Sequence, residues 1–278
     1  MALEIGDRAI ALIDILGFEE LVLTSDLCAL AGALETAFVM NTQMAAVHGE
    51  FDVADSETGS RVVWPEPHCA HFEFSDTILL YSVDSSASGC RDVIVSTWFF
   101  LRSMFGARFP CRGTISFGAL AVDREERFFV GPSIIEAYHL ARAQNWGGAL
   151  VSPSVEEAFP EIRSAAQDPT DAISSLLLPY PVPFKADPPS VRGRAVDTDR
   201  EYLCINWRFN LVVKDGTRSL FREPRDSDAR VKIENTLRFC SVVRKLGKHW
   251  ADDPKLPLEK QRHVVGFMTP PLVHGDEY

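Results

Sequence analysis

"AIALIDILGFEEL", residues 9–21, sets one carboxylate, Asp14, inside an apolar run and follows it with Gly17-Phe18. Residues 9–16 have the β-branched, apolar make-up of a buried strand. Burying a lone carboxylate costs several kcal/mol unless something compensates it. A second carboxylate has the same setting: Asp76 in "FSDTILLYS", residues 74–82, stands at a strand end beside another apolar run. In a β-α-β-β order those strands lie side by side and bring the two acids together. Two carboxylates that close repel unless a proton or a cation lies between them. Oxygen ligands of this kind suit Mg²⁺ or Mn²⁺. A divalent metal on two aspartates beside a glycine turn is the arrangement needed to grip a triphosphate. One Asp before a Gly is ordinarily a turn former; the repetition in two hydrophobic strands sets this pair apart.

Outward from these strands, residues 26–48 repeat apolar positions at helical spacing with Asp26 as N-cap. "DVADSETGSR" (52–61) reads as a surface loop, and "CAHFEFSDTILLYSV" (69–83) as two strands meeting near Ser75-Asp76. A helix follows over about 91–106, then an alternating strand, "CRGTISFGALAV" (111–122), with which "RFFVG" (127–131) pairs. "PSIIEAYHLARAQNWGG" (132–148) is the next helix, opened by Pro132 and ended by Gly147-Gly148, and "ALVSPSV" returns as a strand. The order β-α-β-β-α-β-(β)-α-β predicts an α+β fold with a ferredoxin-like βαββαβ core. Residues 1–160 are expected to form that core and 161–278 an extension that completes the fold. The extension contains a proline-rich extended segment, the strand "YLCINW" (202–207), an amphipathic helix over 228–250 and a loose tail.

The 278 residues are 46% hydrophobic and 24% charged, enough for a full core. A formal net charge of −11 argues against a nucleic-acid surface but leaves room for a local cation cluster that takes an anionic small molecule. No apolar run is long enough to span a membrane, and the N-terminus lacks the pattern of a signal peptide. The six cysteines include no Cys-x-x-Cys pair and read as free thiols, which predicts a cytoplasmic protein.

Four stretches resemble the blocks of class III nucleotidyl cyclase catalytic domains, in that family's order over residues 8–155. "LIDILGFEEL" looks like its D-I-x-G-F start, and "FSDTILLYS" like its second-aspartate hairpin. "RGTISFGAL" resembles its R-x-G-I-x-x-G strand, and "VGPSIIEAYHLARAQNWGGALVS" its G-x-x-V-N-x-A-x-R frame. The resemblance implies two Mn²⁺ or Mg²⁺ ions per site, held by Asp14, Asp76 and the backbone carbonyl of Ile15. It implies that the N–H groups of Leu16, Gly17 and Phe18 wrap the phosphates at a helix start, with Arg112 and Lys185 on the triphosphate. The reaction implied is attack of the ribose 3′-oxygen on the α-phosphorus with loss of pyrophosphate. It also implies a head-to-tail homodimer whose sites lie at the interface.

Departures from the pattern narrow the resemblance. Ile135 stands where the family has a ribose-orienting Asn, and His139 at the position of its transition-state Arg. Arg142, one turn on, is placed to replace that charge, with Asn145 a weaker substitute for the amide. Phe72 and Phe128 occupy the base-reading positions, where neither can hydrogen-bond a purine edge and two rings narrow the pocket. This pattern resembles the bacterial Pycsar pyrimidine cyclases, which make cyclic UMP or cyclic CMP in anti-phage defence. UTP is favoured over CTP on the prevalence of uridylate cyclases in that group, and no residue separates the two. The product would act on a separate effector.

Adenylate and guanylate cyclisation, and a degenerate homologue that binds nucleotide without catalysis, stay open as alternatives. A diguanylate-cyclase-like transferase on the same core lacks its expected hairpin in "FEFSDTIL". Zinc at His68, Cys69 and His71 lacks a fourth ligand at useful spacing.

Overall fold

β1 (Glu4–Ile15) is an interior strand of the sheet, paired antiparallel on one side to β3 (Thr77–Ser82) and on the other to β4 (Cys111–Asp123). A computed structural model of the chain describes residues 3–35, 37, 69–188, 190, 191, 193, 195–209, 211, 217–224 and 226–248. β2 (Cys69–Phe74) hairpins onto β3 through Ser75-Asp76, with Ser75 taking the positive φ of 55° that the tight turn needs. Among the described residues the sheet has eight strands, in the order β2-β3-β1-β4-β6-β8-β7 with β5 (Phe128–Val130) added to the far end of β4. Its first four positions are the antiparallel ferredoxin-like core, so the expected α+β fold is what forms.

The alternation of β1 sends its residues to two different faces. Ala9, Ala11, Ile13 and Ile15 enter the main core with Ile78 and Leu80. There they meet α3 (Ala87–Gly106), whose Val93, Ile94, Phe100, Leu101 and Met104 are fully buried. Ile10 and Leu12 join a smaller cluster with Leu79, Tyr81, Leu120 and Val122 on the other face. That cluster is covered by α4 (Pro132–Ala143) through Ala137.

Between β1 and β2 the chain forms α1 (Phe18–Thr24) and α2 (Leu27–Leu34), and Asp26 caps α2 by accepting the Ala29 N–H at 2.9 Å, as expected. The remainder of the helix expected over 26–48 and the 52–61 loop extend into residues outside those described. So do the C-terminal tail and His68.

Two boundaries correct the sequence reading. α4 stops at Ala143, before the glycines, because Gln144 turns extended (φ −68°, ψ 144°) and forms a bridge to Phe184. β6 (Gly148–Val151), parallel to β4, ends before Pro153, which opens α5 (Pro153–Ala158). Two more short helices, α6 (Glu161–Gln167) and α7 (Ile173–Leu176), were not foreseen. None of the three has a side-chain N-cap; Val155, Ile162 and Ile173 hold them by burial, and ion pairs Arg163–Glu156 and Arg91–Asp171 hold them at the surface.

The extension joins the same sheet. β7 (Leu177–Tyr180) and β8 (Tyr202–Ile205) pair with each other, and β8 pairs with β6. α8 (Ser227–Lys245) then packs Phe239 against Trp146 and Tyr180, with ring centroids 4.8 and 5.0 Å apart. Five of the six cysteines are buried, Cys28 is exposed, and all are free thiols. Among the described residues no helix is long and apolar enough to cross a membrane.

Candidate active site

Three strand ends converge where the two aspartates meet. Asp14 lies directly opposite Thr77 on one side and Arg112 on the other. The Ile15 N–H donates to the Asp76 carbonyl at 3.0 Å, which pins the β2–β3 hairpin tip to the end of β1. This backbone bond puts the Asp76 carboxylate within electrostatic reach of Asp14. The Thr77 hydroxyl donates to Asp14 Oδ1 at 2.8 Å and fixes the carboxylate. Burial raises the Asp14 carboxyl above its ordinary value and the Asp76 charge adds to the rise, against the lowering effects of Thr77, Arg112 and Arg142. Arg112 Nη2 approaches Asp14 Oδ2 only to 4.0 Å, so the pair is incompletely neutralised. Among the described residues no group of three or more His, Cys, Asp or Glu is placed to hold a metal ion. A metal here would rest on the two carboxylates, a backbone carbonyl and the oxygens of its own ligand.

Arg112 is largely buried and its Nε has no hydrogen-bond partner, while its Nη1 reaches the Gln144 carbonyl at 3.4 Å. Burial lowers its pKa, Asp14 opposes that, and Arg142 adds to the lowering. Lys185 arrives on an extended segment zipped to the end of α4: its N–H donates to the Ala143 carbonyl at 2.9 Å, and the Asn145 N–H to Pro183 at 2.7 Å. Its amine is held below its usual value by burial first and then by Arg112. Arg142, exposed on α4, donates to the Tyr138 hydroxyl at 2.6 Å, and its charge reaches Asp14, Arg112 and Lys185. Asp14, Asp76, Arg112, Arg142 and Lys185 thus share one end of the sheet.

Other expected residues sit less simply. The Leu16 N–H donates to the Pro110 carbonyl at 2.8 Å, so, against expectation, it is not free to receive a phosphate oxygen. Gly17 has φ 72°, a left-handed turn that its lack of a Cβ permits; a Cβ there would meet no protein atom within 4 Å, so conformation alone explains the glycine. Asn145 leaves α4 altogether, and its Oδ1 is buried without a partner. His139 packs edge-on to Tyr138 at 5.5 Å, and Ile135 is 53% exposed. The expected pairing of Phe72 with Phe128 is not formed. Phe128 is half-exposed, and Phe129, one residue on, meets Phe72 with ring centroids 4.8 Å apart. The strand register opposite Val122 turns Phe129, not Phe128, to that face. The Arg127 guanidinium lies 4.8 Å over the Phe72 ring.

Sequence reasoning missed Thr77 and Gln144. Gln144 is fully buried, donates to the Gly113 carbonyl at 2.8 Å and accepts from the Trp146 indole at 2.8 Å, so it anchors the backbone that Arg112 touches. A polar residue inside "ARAQNWGGALV" is the signal that could have found it. Two further charged residues come from α8: Asp228 acts on Arg112 and Lys185, and Lys232 acts on Lys185.

No family model and no curated protein matches the chain. Among solved structures, the adenylyl cyclase CyaB from P. aeruginosa overlays at 14% identity with a TM-score of 0.48, over 74% of this chain and 95% of that one. The guanylyl cyclase Cya2 overlays at 14% identity with a TM-score of 0.43, over 57% and 80%. A bacterial light-regulated adenylyl cyclase does so at 11% identity with a TM-score of 0.39, over 73% and 92%. Likeness at these levels assigns neither an activity nor a residue role to this chain.

Proposed function

We propose that the chain is a nucleotidyl cyclase that converts UTP to 3′,5′-cyclic UMP and pyrophosphate, using two Mn²⁺ or Mg²⁺ ions. The observation that carries this reading is the hairpin tip bearing Asp76, bonded through its carbonyl to the Ile15 N–H beside Asp14, with the Arg112 guanidinium 4.0 Å from the Asp14 carboxylate. The residues fit a divalent cation: Asp14 is a partly buried carboxylate near a second carboxylate, with the Arg112 guanidinium 4.0 Å away. Asp14, Asp76 and the Ile15 carbonyl would hold it. When bound, it would lower the pKa of the ribose 3′-hydroxyl and offset charge on the departing pyrophosphate.

The chain's own groups do the rest. Thr77 holds the Asp14 carboxylate in one orientation. Arg112, with an unpartnered Nε, and Lys185 bind the triphosphate, and the N–H groups of Gly17 and Phe18 receive its oxygens. Arg142 supplies positive charge for the transition state. Phe72 and Phe129, in ring contact with each other, line the base side of the site, and a donor from the Arg127 guanidinium over Phe72, if directed at position 4 of the base, would be accepted by the uracil O4 and not by the cytosine amino group. A head-to-tail homodimer completes the site, with the exposed Ile135 and Tyr138 of α4 available as contact surface. The cyclic product would signal to a separate anti-phage effector.

Incubation with ATP, GTP, CTP and UTP plus Mn²⁺, followed by mass spectrometry, tests this. Cyclic UMP supports it, and a different cyclic nucleotide moves the substrate assignment. One observation favours a nucleotide-binding protein without catalysis: the exposed, apolar Ile135 stands where the cyclase pattern has its amide. UTP binding without pyrophosphate release would establish that reading instead.

A further inference from the structure

Arg112 faces Asp14 across β1 and β4, yet that pair does little to hold it. Its Nη2 stays 4.0 Å from Asp14 Oδ2, beyond a hydrogen bond, and its buried Nε has no partner. Its hydrogen bond runs instead from Nη1 to the Gln144 carbonyl at 3.4 Å. Gln144 also grips the strand that carries Arg112. Its Nε2 donates to the Gly113 carbonyl at 2.8 Å and to Thr114 Oγ1 at 3.0 Å, on the two residues that follow Arg112, and to the Leu140 carbonyl at 3.2 Å. Chemistry fixes which way this amide points. The Trp146 indole N–H can only donate, so Oε1 must face it, at 2.8 Å, and the NH₂ must face the carbonyls. Trp146 is itself fully buried under Gly148, where a Cβ would come within 2.6 Å of its ring, and Gly148 is the β6 partner of Arg112. On its other side Gln144 bridges to Phe184, flanked by the bond from the Lys185 N–H to the Ala143 carbonyl at 2.9 Å.

We infer that Gln144 is a positioning residue: its locked amide ties the backbone of residue 144 to β4, so that its carbonyl aims the Arg112 guanidinium, and its bridge to Phe184 registers the segment carrying Lys185 against the same point. That the group aimed at is a triphosphate rests on the cyclase reading; the hold on Arg112 rests on the hydrogen bonds alone. The position calls for a side chain with a donor and an acceptor that reaches from a helix end to the neighbouring strand. Glutamate lacks the donor and methionine lacks both. Without the amide, the Gly113 and Leu140 carbonyls and the Trp146 indole all lose a buried partner. The turn after α4 then shifts to find new ones, and the guanidinium shifts with it.

The test is a double-mutant cycle with Arg112 on the full chain. The probe is 3′-deoxy-UTP with Mn²⁺, which lacks the attacking hydroxyl, so calorimetry reads binding without turnover. Gln144→Met should weaken binding about tenfold, and should cost nothing further when Arg112 is already methionine. A side chain that only supports the fold would weaken binding by the same factor in both backgrounds, and that result overturns the proposal. Crystal structures of wild type and Gln144→Met without nucleotide should show the guanidinium displaced by about 1 Å, enough to cost a well-placed group much of its effect. An unmoved guanidinium overturns the proposal too. Thermal unfolding checks that each variant is folded. Should Gln144→Met not fold, Trp146→Phe, which removes the indole bond to Oε1, carries the same cycle with an effect of about threefold. Should the wild type bind no triphosphate, the cyclase reading ends there, and the position of the guanidinium in the two crystal structures decides the role of Gln144.

Discussion

The two faces of β1 are built for different ends. On one, Ala9, Ala11, Ile13 and Ile15 meet α3 in a core of side chains that are almost all fully buried. On the other, Ile10 and Leu12 begin in the same way, but the row ends at Asp14, with Thr77 and Arg112 beside it. One face gains stability from every apolar group that leaves water. The other accepts a carboxylate whose ionised form burial disfavours and an arginine with an unpartnered Nε. Neighbouring residues of a single strand therefore serve folding and chemistry separately, and substitutions at them should have separable effects.

The largest expected effect is at the site face. Asp76→Ala should reduce cyclic product by ~10³-fold or more while leaving the unfolding midpoint nearly unchanged, since the hairpin is held by the backbone bond from Ile15. Cyclisation retained in that variant, read by mass spectrometry, would refute the metal assignment. Ile13→Ala tests the core face. It should lower stability by ~2–5 kcal/mol in denaturant unfolding, with the specific activity of the folded fraction largely kept. Asp14→Asn, one residue along, should do the reverse: abolish activity yet raise stability by ~0.5–2 kcal/mol. Because burial raises the folded carboxyl above its ordinary value, the ionised form weakens the fold. The stability gap between Asp14→Asn and wild type should accordingly open as pH rises through that raised value and close on acidification. The smallest effect belongs to the base. Arg127→Met should lower the preference for UTP over CTP roughly threefold to tenfold, measured as a ratio of kcat/KM, as expected for loss of one hydrogen bond of ~1 kcal/mol.

The fold was legible because its signals are local. Alternation in residues 9–16, the hairpin at Ser75-Asp76 and the apolar spacing of α3 and α8 each lie within a short window. The missed helices α5, α6 and α7 lack caps and owe their existence to burial against the sheet, which no window displays. The site divides in the same manner. Asp14 and Asp76 stood out as charges in apolar strands, whereas Thr77 and Gln144 became visible only through their partners.

By itself the sequence determined the strand order, the two carboxylates and the glycine turn, because hydrophobic periodicity and turn chemistry act between near neighbours. Tertiary structure alone decided that Phe129 rather than Phe128 meets Phe72, since one step of register in β5 reverses which ring faces inward. It also decided that Gly17 and Lys232, 215 positions apart, line one cavity. Proximity of that kind is set by how a helix docks on a sheet, through Phe239 on Trp146 and Thr236 on Gly147, and such contacts leave no pattern along the chain.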